Sequence, residues 1–409
     1  MTSAQPLRVG MAGYAFMGAA HSHAWRTAPR FFDLPLRPEL TAVAGRNAAG
    51  VRAAADRMGW ASAETDWRAL IERDDIDLID ICTPGDTHAE IAIAALEAGK
   101  HVLCEKPLAN SVAEAERMAE AADAAAARGV YSMCGFSYRR TPALALARRM
   151  VQAGRLGQLR HVRAQYLQDW LSDADAPLTW RLDKAKSGSG ALGDIGAHSI
   201  DAAQWITGHS ITGVSALLET FVTERPVAGD LVGLGGHGAT GAERGPVSVD
   251  DAAIFTARFT PHRDSTGTRP SAGPVGGPSA GPVGVFEATR FALGRKNAMR
   301  LELNGTAGSL AFDFEDMNSL SVYDAADGPD AGFRKILVTE PEHPYTGNWW
   351  PTGHGLGYEH LFTHQAVDLI HAIAENRPPE PSFSDALQIQ KVLAAVETSA
   401  RNNSHWHTV

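Results

Sequence analysis

As far as Phe136 the chain alternates between two hydrophobic periods, and that alternation limits its fold more than any other feature. Short apolar runs at Leu7–Ala12, Leu40–Gly45, Leu78–Thr83, His101–Cys104 and Val130–Phe136 read as strands. Alanine-rich segments between them, among them Ala48–Met58, His88–Ala98 and Val112–Arg128, read as helices. Strands that alternate with helices pair in parallel, because each crossover returns the chain to the same end of the sheet. Beyond Pro142 the rhythm changes. A helix (Ala143–Ala153), a longer strand (His161–Leu167) and a helix near Asp194–Ile206 come first. Strand-like runs follow at Val214–Val222, Ala252–Phe259, Val283–Phe291, Met299–Asn304 and Ser309–Phe314. Consecutive strands joined by turns make a mostly antiparallel sheet. Helices near Glu359–Glu375 and Ser384–Ala400 close the chain.

A chain of 409 residues exceeds the usual size of one hydrophobic core, so two domains are expected. They are an α/β unit over residues 1–138 and an α+β unit with an open, mostly antiparallel sheet over 139–409. Two Gly/Pro/Ser-rich stretches, about 229–245 and 261–284, lack apolar periodicity and are expected to be flexible insertions. The net charge of -10 excludes nucleic acid as a partner, since phosphates demand a basic surface. No run approaches the ~20 apolar residues that span a bilayer, and the first residues carry no signal-peptide pattern. Cys82, Cys104 and Cys134 lie in or beside apolar runs and cannot all pair. They read as reduced core thiols of a cytoplasmic protein.

Chemistry enters at the first strand's end. Gly13-Tyr-Ala15-Phe16-Met17-Gly18 forms a G-x-A-x-x-G turn that opens a helix. Such a turn lets backbone N–H groups and a helix N-terminus receive a pyrophosphate, which makes the first unit a Rossmann dinucleotide-binding domain. The methyl of Ala15 crowds the closest backbone approach. The second strand ends Ala44-Gly45-Arg46-Asn47, without the acid that would bond a ribose diol. Arg46 can instead pair with a 2′-phosphate, which tilts the NAD(P) reading towards NADP.

Two further motifs bear on a reaction. Glu105-Lys106-Pro107 follows the strand His101–Cys104, at the carboxyl end where open α/β sheets bind ligands. Alcohol oxidation releases a hydroxyl proton as the hydride leaves, and a lysine can accept it when its surroundings favour the neutral amine. In Gly193-Asp194-Ile-Gly-Ala-His198, an acid and an imidazole stand four apart on one helix face. They can bond a substrate diol and share its proton, or be a helix-capping Asp and a packing His.

Taken together, the glycine turn, IDICTPGDTHAEIAIAALEAGKHVLCEKPLA, GALGDIGAHSID and EATRFALGRKN resemble the Gfo/Idh/MocA oxidoreductase family, and the resemblance runs through nearly the whole chain. It implies an NAD(P)-dependent dehydrogenase or reductase acting on a secondary hydroxyl of a cyclitol, sugar or glycoside. By the same resemblance Lys106 is the acid/base, and Asp194 and His198 bind the reacting hydroxyls. Thr83, Pro84 and His88 would lie near the dinucleotide, Glu105 would lie beside the nicotinamide, and Pro107 would follow a cis peptide. A homodimer or homotetramer is expected.

Arg139, Gln168, Asp169, Trp170, Trp180 and Arg181 resemble a pyranoside-acting branch and are candidates to bind substrate, with Trp349, Trp350 and His354 at the rim. Aromatic faces stack on sugar C–H surfaces, while Arg and Asp fork to hydroxyls. For each tryptophan, interdomain packing is the competing reading. His21-Ser-His23 and His405-Trp-His407 have no Cys or carboxylate at zinc-ligand spacing nearby, so no metal is expected. Two other functions fit the family: a redox-neutral enzyme that cleaves glycosides through a transient ketone, and a non-catalytic dinucleotide-binding regulator.

Overall fold

The computed structural model describes residues 5–228, 240–261 and 281–409. Among these residues, the first half builds a six-stranded parallel sheet in the order β3-β2-β1-β4-β5-β6. Its strands are β1 (Gln5–Ala12), β2 (Leu36–Ala44), β3 (Ser62–Glu64), β4 (Leu78–Ile81), β5 (His101–Cys104) and β6 (Ser132–Cys134). The three-residue β3 is too short to leave a periodic signal in the sequence. Helices Phe16–Phe31, Ala48–Met58, His88–Glu97 and Val112–Ala126 cross between the strands. The carboxyl ends of β1, β2, β4 and β5 deliver Gly13, Arg46, Thr83 and Lys106 to one edge.

The second sheet has nine strands among the described residues, ordered β16-β15-β14-β13-β7-β12-β11-β8-β17. These are β7 (Leu159–Leu167), β8 (Ile211–Glu219), β11 (Ala252–Phe259), β12 (Val283–Thr289), β13 (Ala298–Gly305), β14 (Gly308–Asp313), β15 (Ser319–Asp324), β16 (Arg334–Leu337) and β17 (His407–Thr408). Only β7 and β12 pair in parallel; the other neighbours are antiparallel. Exposure alternates along β11, so Ala253, Phe255, Ala257 and Phe259 face the core while Ile254, Thr256 and Arg258 face outward. The helices Ala197–Thr207 and Phe383–Arg401 pack against this sheet.

Two features depart from the sequence reading. β9 (Glu224–Ala228) and β10 (Thr240–Pro246) form a two-stranded ribbon, so the stretch expected to be flexible at 229–245 ends in a strand; 229–239 lie outside the described residues. Most of the second insertion, 262–280, also lies outside them. The sequence reading placed no strand after the closing helices, yet β17 pairs with β8 at the sheet edge, and Trp406 covers Gly213, where a side chain would meet the indole at 2.5 Å. The helix Tyr358–Ala374 returns to the first half, where Ala366, Leu369 and Ile370 share a core with Leu7, Val9 and Met11.

Candidate active site

Gly13 holds φ +96°, and a Cβ there would lie 2.7 Å from the Cys82 carbonyl oxygen. At Gly18 a Cβ would meet the Gly13 carbonyl oxygen at 2.3 Å, so both glycines are required for the turn to pass this close to β4. The helix Phe16–Phe31 begins with no side-chain cap and no acid in its first turn. Its N-terminal N–H groups and positive dipole end are therefore available to a pyrophosphate, and Ala15 and Phe16 are exposed there. Tyr14 lies over Gly45 and Gly50, and Arg46 is exposed without a side-chain hydrogen bond or ion pair among the described residues. These residues fit a dinucleotide. Thr83 and Pro84 stand on the neighbouring turn, and His88 ties it down, with its Nε2 2.9 Å from the Thr83 carbonyl and its Nδ1 3.0 Å from that of Pro107. The bond from Lys106 to Pro107 is cis. Phe16 stacks on Tyr358 at 6.4 Å, and Met17 lies against the core beneath the turn.

Lys106 Nζ donates to the main-chain oxygen of Asp194 at 2.5 Å and stands 3.5 Å from its Oδ1. Asp194 lies in a single π-helical turn, Leu192–Gly196, that runs directly into the helix Ala197–Thr207. Such turns widen a helix by one residue and recur at functional sites. The capping reading of Asp194 fails, because Asp250 does the capping. Its two oxygens accept the Gly190 and Leu192 N–H groups, each at 2.7 Å. Asp194 faces cations instead. Burial works against its carboxylate, but Lys106, Arg290 and Arg181 outweigh it and bring it down to about 2. Its side chain keeps 27% of its surface open, enough to meet a ligand.

His198 sits in an aromatic box, its ring 4.6 Å from Tyr138 and 6.0 Å from both Phe136 and Tyr166. Burial, then Lys106, hold its imidazole well below the ordinary range, so it is neutral at physiological pH. Its Nδ1 has no hydrogen-bond partner among the described residues. The Tyr138 and Tyr166 hydroxyls bond to each other, and Asn297 Oδ1 joins them, 2.6 Å from the Tyr166 oxygen.

Sequence reasoning missed Arg290, Asp250, Tyr138, Tyr166 and Asn297. Arg290 is fully buried, with Nη1 3.4 Å from Asp194 Oδ2 and Nη2 3.2 Å from the main-chain oxygen of Asp250. An arginine at the inward-facing end of an alternating strand was the available signal. Two expected substrate contacts are spent elsewhere. Arg139 is locked in a buried pair with Asp201, its Nε 2.9 Å from Oδ2, and Asp169 is held by Lys296 Nζ at 2.6 Å and the Gly294 N–H at 3.0 Å. Trp170 donates to Gln168 at 3.0 Å, with the Arg290 guanidinium 5.6 Å over its ring. Arg181 lies over Trp180 at 4.5 Å and makes no side-chain hydrogen bond among the described residues. Trp349 and Trp350 pack on Phe31, at the far end of the helix from the glycine turn, and His354 is exposed. The two tryptophans are packing residues.

Sequence spacing around His21-Ser-His23 does not show what stands beside His21 in space. The fold brings Asp80 and Cys82 to it, with donor atoms all within 4.8 Å. These groups bond to one another, and burial pushes the Cys82 thiol up, keeping it protonated.

Residues 7–132 match the model of the oxidoreductase family with an NAD-binding Rossmann fold, and residues 144–311 match the GFO/IDH/MocA C-terminal domain. The chain belongs to the Gfo/Idh/MocA family of oxidoreductases. A levoglucosan dehydrogenase of Pseudarthrobacter phenanthrenivorans is 40% identical over 98% of this chain and 97% of its own length. An oxidoreductase domain protein of Kribbella flavida is 62% identical, covering 99% of both chains with a TM-score of 0.90. A levoglucosan dehydrogenase in complex with NADH and levoglucosan is 39% identical over 99% of this chain and 100% of that one, with a TM-score of 0.87. This Gfo/Idh/MocA member is an NAD-binding oxidoreductase acting on CH–OH groups, and its parallel and mostly antiparallel sheets are those of the family.

Proposed function

We propose that the chain oxidises a secondary hydroxyl of a pyranose-ring sugar, with levoglucosan the first substrate to test. The observation that carries this reading is the contact of Lys106 with Asp194, beside a neutral His198, at the strand ends that meet the glycine turn. Near full-length similarity to a levoglucosan dehydrogenase supplies the substrate class. When bound, NAD supplies the hydride acceptor. His198 and Asp194 bond the hydroxyls, Lys106 takes the proton of the reacting one, and the carbon–hydrogen bond breaks as the ketone forms. Asp194 stays ionised because Arg290 and Arg181 face it even while Lys106 is the neutral amine that takes the proton. Arg181, Trp180 and Trp170 line the approach as the sugar-facing set; Arg290, Arg139 and Asp169 act behind it.

Levoglucosan, other pyranosides, free sugars and inositols should be offered with each nucleotide while absorbance at 340 nm is followed. Stoichiometric NADH formation on levoglucosan supports the reading. Product without NADH would favour the redox-neutral route, and nucleotide binding with no turnover on any polyol would favour the regulator.

Arg46 supports acceptance of NADP alongside NAD. Arg46→Asp should lower NADP turnover at least tenfold more than NAD turnover (about 1.4 kcal/mol); equal losses would remove Arg46 from the pocket. We place the domain boundary at 138/139, the enzyme in the cytoplasm, consistent with three buried free thiols, and its assembly as a homo-oligomer.

A further inference from the structure

Behind Lys106 runs a buried chain of ionisable groups that the proton transfer does not use. His21, on the helix Phe16–Phe31, has its Nδ1 3.0 Å from both oxygens of Asp80 on β4. Its Nε2 is 3.0 Å from Oε1 of Glu105, just past β5. The three residues are 1%, 0% and 4% exposed. Asp80 also accepts the Trp25 indole N–H at 2.7 Å and the Cys82 thiol at 3.6 Å. Glu105 accepts the Lys106 N–H at 3.3 Å, so the chain of bonds ends on the backbone of the proposed base. Phe362 covers the imidazole at 5.4 Å. Glu105 fits only because residue 135 is glycine, where a Cβ would lie 2.6 Å from Oε1.

A neutral imidazole has one N–H, yet here a carboxylate faces each ring nitrogen. Only the imidazolium donates to both. Burial opposes that charge, and Asp80 outweighs it, leaving His21 well above the ordinary range. Two carboxylates and one imidazolium sum to a single negative charge. Asp80 has further donors in Trp25 and Cys82, so the uncompensated charge falls towards Glu105. The ring that accepts hydride must come within contact distance of the alcohol that Lys106 deprotonates, and hence close to Glu105. Oxidised nicotinamide is positively charged and reduced nicotinamide is neutral, so a fixed anion there distinguishes them.

We propose that His21 is a positioning residue that holds Glu105 as a fixed anion beside Lys106, and that this buried Asp80–His21–Glu105 chain favours NAD⁺ over NADH. The proposal rests on the dinucleotide site described above and is independent of the sugar. Dissociation constants for NAD⁺ by calorimetry and for NADH by fluorescence, without sugar, test it in the wild type, His21→Gln and Glu105→Gln. Glu105→Gln removes the anion and should weaken NAD⁺ by ~10-fold more than NADH, as the loss of one nearby buried charge predicts. In His21→Gln the two carboxylates lose the cation between them, so Glu105 takes up a proton and the ratio should move the same way. The double variant should shift the ratio no further, because both act through one charge. Histidine-selective NMR of the wild-type protein should show both His21 ring nitrogens protonated at pH 7.5. An unchanged ratio in Glu105→Gln, with both nucleotides weakened equally or not at all, would overturn the proposal. A neutral His21 in the wild-type spectrum would do the same, even if His21→Gln does not fold. A wild type that binds both nucleotides as proposed but oxidises no sugar would defeat only the substrate reading.

Discussion

Lys106 meets Asp194 through a main-chain oxygen, so a shortened or uncharged side chain at 106 leaves the helix behind it intact. Lys106→Met should therefore lower kcat by ~10²–10⁴-fold with NADH affinity nearly unchanged, measured by steady-state kinetics and fluorescence titration. Near-normal turnover would show that another group takes the proton. Asp194→Asn makes a different forecast. The sequence alone would let stability stand, because Asn caps a helix well. In the structure Asp194 does not cap, and its loss leaves the buried Arg290, among the described residues, with the Asp250 main-chain oxygen as its one hydrogen-bond partner. The rate should fall tenfold or more, and stability should fall as well, by roughly 1–3 kcal/mol since Asp194 is partly open. Asp194→Asn with His198→Gln should cost less than the product of the single losses, as for residues acting on one proton. A silent Asp194→Asn would return both residues to packing.

At the scale of elements, the helix Tyr358–Ala374 joins the two halves, and His364 is its pin. The His364 Nε2 accepts the Trp349 indole N–H at 2.7 Å, and its Nδ1 bonds the Arg140 carbonyl at 3.0 Å, which fixes the neutral tautomer. Burial depresses its pKa to about 3. An unfolded histidine titrates near 6.5, so below that pH the unfolded chain binds the extra proton and stability falls. Between pH 6.5 and 4.5 this amounts to roughly 2–3 kcal/mol. Urea unfolding of wild type and His364→Gln should converge as pH falls; parallel curves would exclude His364 as the source. His198, also depressed, acts in the same direction. His21 acts oppositely: its raised pKa contributes stability below ~6.5 that is lost only as pH climbs through the folded value.

For the molecule as a whole, the uncovered face of the nine-stranded sheet carries an apolar stripe. Leu217 (55% exposed) is paired across strands with Ile254 (48%), and Val285 (48%) lies on the next strand. A second copy of the chain is the occupant we propose, since a stripe of this kind is costly to leave in water. Leu217→Lys with Ile254→Lys should leave a folded monomer by light scattering, with its circular dichroism unchanged. A wild type that is monomeric at micromolar concentration would remove the proposal.

What the sequence determined by itself is what local periodicity and turn chemistry encode. The parallel strands before Phe136, the antiparallel run after Leu159, the glycine turn and the helix bearing Asp194 and His198 were all legible, because each is specified within a few residues. Segments such as β3, β16 and β17 are too short for a period. The partners were not legible. Asp250 caps a helix that begins near residue 190, Arg290 reaches Asp194 from just past β12, and Asp201 occupies Arg139. His21 was read against its sequence neighbours, although its carboxylates come from Asp80 on β4 and Glu105 just past β5. A buried charge must find its counter-charge wherever the fold brings one, so that pairing is decided by tertiary structure alone.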